Sequence, residues 1–507
     1  MKASTRTVCL PRRIVSSNSE KEITCEKSLP DFSPDINRLI RAEATAYPEK
    51  TEAGKDGITV SGRVVFGLLY ETDYKNKLAH TVISADFTQK FTPDSFSGGK
   101  IDADVDVVCS RVNCRLLSER KVLLRCLLTF GVSALELKCV EVLSPEAKES
   151  DTFFKTENIE IEKWLDPIES VFSFSERIET ERPVGNIVCK SVTLSPLKAQ
   201  SGDNVVTVTG NALFRALVEE ENTDNSYFLV SKSIPLVMEF NADGGERFKA
   251  SARPATLDAS VELNDYGENR IISVSFSADG CLKPYAGESI ELVADAFNPD
   301  YSNQTEISDI YYDIPVFADS QSFTVEKSFS TDGINLLTVL DTISIVNVIS
   351  VAKEENGLRV RGNIAVSVLG VSDFGVVSVD TTEPFDELFT VNTPDGRVDY
   401  FASGYPIDAS SVILNNETVS SKIVVLLEIY GFERKEVTAA VSMTMEESVK
   451  DEFADESVIF YYPDKGETLW DVAKQYYVNP AVIRGDNDAA FDADDTVRGR
   501  MIKIRRK

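Results

Sequence analysis

Few residues of this chain have the types and spacing that catalysis usually requires. Histidine occurs once, as His80 in the segment LAHTVIS, and no nucleophile motif surrounds it, so a Ser-His-Asp or Cys-His site is not indicated. We predict that His80 is a surface residue between strands. The chain has no GxxxxGK[ST] or GxGxxG phosphate loop, and Gly98-Gly99 in SFSGGKID is typical of a turn. We therefore expect no catalytic residue, no cofactor and no enzyme activity.

Four neighbouring cysteines raise the question of a zinc site. Cys109, Cys114, Cys126 and Cys139 do not have the spacing of a zinc finger or ribbon. They lie in strand-like segments, where free thiols pack as small hydrophobic groups. We expect no metal site. All eight cysteines lie within residues 1–281, a distribution that does not favour a disulfide-stabilised secreted protein.

The charge and the N-terminal segment limit the partners and the compartment. A net charge of −29 opposes binding to nucleic acid and to anionic lipid headgroups. The negative charge either keeps the protein soluble or attracts a basic partner. Residues 1–21 lack the apolar core of a secretory signal, and no apolar stretch approaches the roughly 18 residues of a membrane span. We expect a cytoplasmic protein without a transmembrane segment.

Carboxylate pairs leave a second class of function open. The chain has 82 acidic residues, so two of them could face a sugar cleft, as in glycosidases. A protein that binds or cleaves cell-wall glycans would need an export signal and an aromatic-lined cleft, yet the only tryptophans are Trp164 and Trp470. An extracytoplasmic adhesin-like β-repeat array has the same need for export. A peptidoglycan-binding protein is therefore our alternative.

Internal similarity divides the chain into three copies. The segments EITCEKSL, FSFSERIE and SFTVEKSF recur at a spacing of 150 residues. They are followed by ITVSGRVVFGLLY, VTVTGNALFRALV and LRVRGNIAVSVLG. Alternation of apolar residues over a dozen positions predicts long strands, and the central Gly62, Gly210 and Gly362 indicate a bulge or bend.

Each copy ends in a predicted hairpin, at residues 112–130, 261–276 and 412–430, because polar turn residues separate two alternating segments. We place boundaries near residues 160–164 and 313–319. The prediction is therefore a mainly β protein with modules at residues 1–160, 165–315 and 319–440.

The C-terminal segment has a different pattern. Residues 446–456 are predicted to form an acidic linker. Beyond it, Thr468 is a good N-cap for a helix whose inner face is Leu469, Val472, Ala473 and Tyr476, at i, i+3, i+4 and i+7. Pro480 suits the first turn of a second helix. With strands near 459–462 and 501–504, residues 458–507 are predicted to form a small βααβ domain.

The residues of both parts resemble known families. The copies resemble the SPOCS domain of spore-coat assembly proteins, most clearly through SLPDFSPDINRLIRAEATAYPEKTEAGKDGITVSGRVVFGLLYETD. The C-terminal segment resembles LysM domains. This resemblance rests on Gly466-Glu467-Thr468-Leu469, Trp470-Asp471-Val472-Ala473, Asn487, Gly499 and Ile502 to Ile504. Arg505 stands where that family usually has proline, and the tail around it is basic.

The LysM resemblance implies a binding groove between two loops. By position, the groove residues are Lys465, Gly466, Glu467, Thr468, Leu469, Ile483, Asn487 and Asp488. Leu469, Trp470 and Ile483 are also consistent with core positions, and for Leu469 we favour the core. In that family the groove holds N-acetylglucosamine chains, but a cytoplasmic chain meets no mature peptidoglycan, so we favour a protein partner.

The order of SPOCS modules and a final LysM domain resembles the SipL-like family of spore-coat morphogenetic proteins. The resemblance implies a non-enzymatic scaffold in endospore coat assembly. Its LysM domain would dock a SpoIVA-like coat ATPase at the outer forespore surface, on the mother-cell side. Its β modules would contact other coat proteins.

Overall fold

Antiparallel β-sheets form most of the molecule, so the mainly β prediction is confirmed. The computed structural model describes residues 3–54, 57–93, 96–145, 152–202, 204–242, 244–415, 417–446, 457–464, 466–487, 490–492, 495–498 and 500–505. The predicted linker lies outside these ranges, except for its first residue, Glu446. Within them, no helix is long and apolar enough to span a membrane.

Residues 5–143, here unit 1, form two three-stranded sheets. The strands are β1 (Thr5–Ser28), β2 (Ile36–Gly54), β3 (Gly57–Thr72), β4 (Leu78–Phe91), β5 (Ile101–Ser118) and β6 (Lys121–Leu143). The strand orders are β1-β6-β5 and β2-β3-β4. The apolar face of β3 packs on that of β6, so Phe66, Tyr70 and Phe130 are fully buried between the sheets.

Residues 153–297, here unit 2, follow the same plan with two strands divided. The strands are β7 (Phe153–Trp164), β8 (Ile168–Glu179), β9 (Val184–Leu194), β10 (Lys198–Ser201), β11 (Val205–Glu220), β12 (Tyr227–Asn241), β13 (Arg247–Leu263) and β14 (Asn269–Phe297). β7 and β8 both pair with β14, and β9 and β10 both pair with β11. Pro167 and Pro196 lie at the two breaks, because proline offers no N–H to the ladder.

Residues 302–446, here unit 3, repeat the undivided plan of unit 1. The strands are β15 (Ser302–Ser330), β16 (Leu336–Glu354), β17 (Gly357–Ser372), β18 (Gly375–Phe389), β19 (Val398–Asn415) and β20 (Thr418–Glu446). The orders are β15-β20-β19 and β16-β17-β18.

The three predicted hairpins and the three glycine-containing strands are confirmed. The hairpins are β5–β6, β13–β14 and β19–β20, and the strands are β3, β11 and β17. The positions predicted as boundaries, 160–164 and 313–319, lie within β7 and β15, which are parts of the sheets of units 2 and 3.

Two of the central glycines face a bulge in the neighbouring strand. The register shifts between Pro48 and Lys50 opposite Gly62, and between Val348 and Ser350 opposite Gly362. A Cβ on either glycine would lie 2.2 or 2.3 Å from a backbone carbonyl oxygen of the bulged strand. The predicted irregularity therefore occurs beside the glycines, and glycine is needed because two backbones approach closely.

The three units close into a ring, which the sequence did not predict. β4 of unit 1 contacts β9 of unit 2, β12 of unit 2 contacts β16 of unit 3, and β18 of unit 3 contacts β2 of unit 1. These are equivalent strands in each unit. The contacts therefore follow one rotational sense about a pseudo-threefold axis.

Two apolar clusters join the units at opposite ends of this axis. The apical cluster consists of Leu69, Leu78, Leu217, Tyr227, Leu369 and Val376. The basal cluster consists of Val8, Leu10, Val142, Ile159, Ile161, Ile290, Leu292, Ile310, Tyr312, Val437 and Ala439. Each unit supplies equivalent positions to both, so hydrophobic burial joins the ring at both ends.

A charged group lies beside the apical cluster. Arg41, Cys189 and Asp341 occupy equivalent positions, because they pair with the cluster leucines Leu69, Leu217 and Leu369. An Arg41 amino group lies 3.0 Å from an Asp341 carboxylate oxygen, and the two side chains are 6% and 7% exposed. Arg215 of unit 2 also bonds Asp341, so one carboxylate joins all three units.

Candidate functional site

The C-terminal domain has the predicted order of elements. They are β21 (Val458–Tyr461), α1 (Leu469–Gln475), α2 (Pro480–Asp486) and β22 (Ile502–Arg505), with β21 antiparallel to β22. Thr468 caps α1 as predicted: its hydroxyl accepts from the Asp471 N–H at 3.3 Å, and its own N–H donates to the Asp471 carboxylate at 2.9 Å. This reciprocal pair is a capping box. Pro480 begins α2, also as predicted.

The predicted groove residues separate into core and surface. Leu469 and Ile483 are buried in the core of the domain, with exposures of 5% and 0%, which confirms the core assignment of Leu469. Gly466 is exposed at φ +98°, a conformation that favours glycine. Lys465 and Asp488 lie outside the described residues, as does Gly499 of the LysM-like motif.

The side chain of Asn487 forms hydrogen bonds within the C-terminal domain through both its nitrogen and its oxygen. Its side-chain amide donates to the Ile483 carbonyl at 2.8 Å and to the Lys503 carbonyl at 2.6 Å, and its oxygen accepts from the Lys503 N–H at 2.7 Å. These bonds fasten the end of α2 to β22. Since both amide atoms already have partners, Asn487 shapes the predicted groove through the backbone rather than by presenting a free side chain.

Glu467 also contacts its own domain. Its carboxylate accepts from the Tyr461 hydroxyl at 3.0 Å and from the Asp464 N–H at 2.7 Å. Burial and this hydrogen bond together raise the pKa of Tyr461 to about 12. Across the groove, Arg505 forms an ion pair with Asp486 that lowers the pKa of that carboxyl. Arg505 therefore bonds the last residue of α2.

The other face of the domain is anchored to unit 2. The Trp470 indole N–H donates to Asp295 at 2.8 Å, and the Lys474 ammonium donates to both Asp295 oxygens at 2.7 Å. The Trp470 ring packs edge-on against the buried Phe297, with centroids 5.1 Å apart. Helix α1 is thus fixed to the end of β14 by charge-assisted hydrogen bonds and aromatic packing.

Sequence reasoning missed this anchor, although a signal was present. Trp470 lies outside the inner stripe of α1 that Leu469, Val472 and Ala473 define, so it could not belong to the core of an isolated domain. A large aromatic residue off the inner face of a short helix indicates a second packing partner.

A chamber of about 1400 Å³ on the ring axis was also not predicted. Its polar wall differs by unit: Asp102, Asp104 and Asp106 come from unit 1, Arg247, Lys249 and Lys283 from unit 2, and Ser403, Tyr405, Glu428 and Tyr430 from unit 3. Lys249 lies 2.9 Å from Asp104, and Lys283 bonds Asp102. These ion pairs cross between units 1 and 2.

Two further carboxyls of the chamber bring units 1 and 3 together. Burial raises the pKa of Asp106, which bonds the Ser403 side chain. Burial also raises the pKa of Glu428, which faces Asp106 and lies 3.4 Å from the Tyr430 hydroxyl. Lys249 opposes both shifts. Both groups therefore favour the protonated form more than ordinary carboxyls do.

His80 lies in a strand, and Gly98-Gly99 lies in a bend. His80 lies within β4 and is half-buried, so its prediction as a surface residue between strands was wrong. Burial, aided by the nearby Arg41 charge, lowers its pKa to about 4. Gly98-Gly99 forms a bend as predicted: the Gly99 and Ser97 N–H groups donate to the buried Glu136 carboxylate at 2.9 and 2.8 Å.

The cysteines only partly behave as expected. Cys139 is not a free thiol: it lies directly opposite Cys9 in the β1–β6 register and forms a disulfide with it. Its prediction as a packed free thiol was therefore wrong. Cys109 and Cys126 are buried and free, and they contact each other in the core of unit 1. Cys114 is half-buried, and burial raises the pKa of its thiol to about 11.

Comparisons with known proteins returned no match, whether to a family model, to a curated protein or to a solved structure. The SPOCS and LysM resemblances thus remain predictions from the sequence motifs.

Proposed function

We propose that this chain is a non-enzymatic docking scaffold whose C-terminal domain binds a protein partner. The observation that carries the proposal is the asymmetry of that domain. Its α1 face is anchored to unit 2 through Asp295, whereas Gly466 in the first predicted groove loop is exposed, as is Gly485, which lies in α2 between the groove residues Ile483 and Asn487. Among the described residues, apart from the chain neighbours of each glycine and the backbone of α2, no atom lies within 4 Å of a Cβ built on either glycine. A rigid body that holds a small domain by one face can present the other face in a fixed orientation.

The resemblance to SipL-like proteins suggests the partner and the place. The partner would be a SpoIVA-like coat ATPase, bound at the outer forespore surface from the mother-cell cytoplasm. We favour a protein over N-acetylglucosamine as the ligand. The side chains of Asn487 and Glu467 already form hydrogen bonds within the domain, so they are not available to bind the polar groups of a sugar. Peptidoglycan binding through the same groove is the alternative function.

A matched pair of tryptophan substitutions tests the groove. Gly485→Trp adds a bulky side chain to exposed space on α2, whereas Gln475→Trp adds the same side chain to the exposed end of α1. In full-length protein we expect Gly485→Trp to weaken binding to a purified SpoIVA-like ATPase by about tenfold or more. Gln475→Trp should bind like the parent chain. Biolayer interferometry would measure both, after circular dichroism has established equal folding.

The same proteins distinguish the alternative. Titration with soluble N-acetylglucosamine oligomers should give no binding if the partner is a protein. Oligomer binding that Gly485→Trp abolishes, with no binding to the ATPase, would assign the domain to cell-wall glycan. Equal ATPase binding by both variants would move the docking site away from the groove.

A further inference from the structure

The apical end of the ring carries a surface that the C-terminal domain does not use. Three hairpin turns meet there, at residues 71–77 of unit 1, 219–227 of unit 2 and 371–377 of unit 3, and we call them the apical tips. The first range ends just before Leu78, and the other two contain Tyr227 and Val376. All three residues belong to the apical cluster. The tips therefore surround the ring axis just outside the buried cluster.

Equivalent positions of the tips carry related residues. Asp73 and Asp373 follow the cluster residues Leu69 and Leu369 at the same spacing, and Asp224 lies in the longer turn of unit 2. The next residue is Tyr74 in unit 1 and Phe374 in unit 3, and these two side chains are 70% and 82% exposed. A single exposed aromatic residue in a turn needs no explanation. Two at equivalent positions around one axis indicate a surface that is used in binding.

Contacts between units hold the tips in place. Arg38 of unit 1 donates to the carbonyls of Phe374 at 3.3 Å and Val376 at 3.2 Å, and its guanidinium also bonds Glu71 at 2.7 Å. One guanidinium thus ties the tip of unit 3 to the strand beside Tyr74. The aromatic side chains project from a fixed frame, so little backbone ordering is lost when they bind.

Unit 2 completes this frame. The Tyr227 hydroxyl accepts from the Leu78 N–H at 3.0 Å, and Lys77 donates to Glu219 at 2.6 Å. Asn225 donates to the Lys75 carbonyl at 3.4 Å. The tip of unit 1 is therefore held on both sides by its neighbours in the ring.

The charge of the tips indicates the kind of partner. Their acidic residues are Glu71, Asp73, Glu219, Glu220, Glu221, Asp224 and Asp373, and their basic residues are Lys75 and Lys77. Lys77 is paired with Glu219, and Lys75 lies beside the Tyr74 ring. With seven acidic and two basic residues, the three tips taken together are acidic. Such a surface attracts cationic groups and repels anionic lipid and a second acidic copy of this chain.

We propose that the apical tips form a second docking surface, for a basic protein segment that places apolar side chains against Tyr74 and Phe374. Lysine or arginine residues beside the apolar anchor would meet Asp73, Asp224 and Asp373. This surface does not depend on the C-terminal groove. The Gly485→Trp protein should therefore bind such a segment as the parent does.

Defined peptides test the proposal with the full-length chain. The probe is a fluorescein-labelled 15-residue peptide of lysine and serine with two leucines and one tryptophan, and a second peptide has serine at the apolar positions. We expect fluorescence anisotropy to show binding of the apolar peptide that weakens about tenfold or more in the Tyr74→Ser/Phe374→Ser double variant. The serine peptide should bind several-fold more weakly. Raising NaCl from about 50 to 300 mM should weaken binding further, because rim charges are screened.

A matched control distinguishes binding at the tips from non-specific binding to exposed aromatic residues. Tyr462 is 73% exposed on the C-terminal domain, so Tyr462→Ser removes a similarly exposed aromatic ring away from the tips and should leave peptide affinity unchanged. Hydrogen exchange should show peptide-dependent protection at residues 71–77 and 371–377.

Three results would overturn the proposal. Equal peptide binding by the parent and the double variant would place the site elsewhere. Loss of binding to phosphatidylcholine–phosphatidylglycerol vesicles in the double variant, without an effect on peptide, would make the tips a membrane contact. A change from dimer to monomer in sedimentation of the double variant would make them a self-association surface.

Discussion

The two ends of the ring are built from different interactions, although each uses equivalent positions of the three units. At the basal end, apolar residues face apolar residues, as with Val8, Ile159 and Ile310. Beside the apical cluster, the equivalent positions are instead Arg41, Cys189 and Asp341. Apolar contacts supply affinity without direction. The charged group adds direction, because the Asp341 carboxylate of unit 3 bonds both Arg41 of unit 1 and Arg215 of unit 2 in a buried place.

Removing the shared carboxylate should give the largest loss of stability. Asp341→Ala leaves Arg41 and Arg215 without their common partner in a buried place. We expect a loss of about 3–5 kcal/mol in the free energy of unfolding, as for other broken buried ion pairs. Urea denaturation monitored by circular dichroism would measure it. Asp309→Ala, at an exposed residue of β15, is the control and should cost little. A loss below about 1 kcal/mol for Asp341→Ala would show that the group does not organise the ring.

Truncating a basal residue should cost less, and for a different reason. Leu292 is fully buried in the basal cluster, and Leu292→Ala would leave a cavity between units. We expect a loss of about 2–4 kcal/mol, measured in the same denaturation experiment. Unlike the loss in Asp341→Ala, the loss in this variant, relative to the parent chain, should be the same at low and high salt. A strong salt dependence would contradict the division between an apolar and an electrostatic end.

The contact that anchors the C-terminal domain to unit 2 is also expected to depend on one carboxylate, that of Asp295. Asp295→Ala removes the partner of Trp470 and Lys474, and charge-assisted hydrogen bonds of this kind contribute about 1.5–3 kcal/mol. We expect release of the domain from unit 2 with the ring intact. In a Trp164→Phe background, the emission of Trp470 should shift to the red. Unchanged emission would mean that packing on Phe297 is sufficient to hold the domain.

The smallest expected effect concerns pH and the chamber. The raised pKa of Asp106 means that the folded state binds its proton more tightly than the unfolded chain does. Its contribution is present at low pH, below the unfolded pKa, and is lost as pH rises through the folded pKa. Asp106→Asn should therefore reduce the fall in stability as pH rises above the ordinary aspartate pKa of about 4. Urea midpoints across this range would measure it.

A neighbour provides the opposite sign. Lys249 and Lys283 lower the pKa of Asp104 against the effect of its burial, so its contribution is present above the unfolded pKa and is lost as pH falls. Asp104→Asn should therefore lower the free energy of unfolding at neutral pH, whereas Asp106→Asn should not. The same direction for both variants would contradict the assignment of separate roles to the two carboxyls.

The strands and hairpins could be predicted because each follows from local alternation and turn residues that recur in all three copies. The ring could not, because strands such as β1 have apolar residues on both faces, and alternation does not say which face meets another unit. Arg41, Cys189 and Asp341 are equivalent positions with unlike residues, so a search for similarity treats them as divergence. The breaks in unit 2 were readable from Pro167 and Pro196 but were not predicted.

The candidate site was predictable to a similar degree. Helical periodicity identified Leu469 as core, and the cap at Thr468 followed from local chemistry. The role of Asn487 did not, because its partners Ile483 and Lys503 meet only after α2 packs on β22. The Cys9–Cys139 disulfide was hidden for the same reason, since the pairing of β1 with β6 joins residues 130 positions apart.

Covalent fusion of the three units has a consequence for stoichiometry. Three identical subunits would carry three C-terminal domains, one beside each final strand. Here only β14 of unit 2 offers Asp295 and Phe297, so one domain is seated per ring while three tips gather at the far end. With the docking domain proposed at one pole and the docking surface proposed at the other, each chain would connect two partners, and such connections give linear chains rather than branched networks.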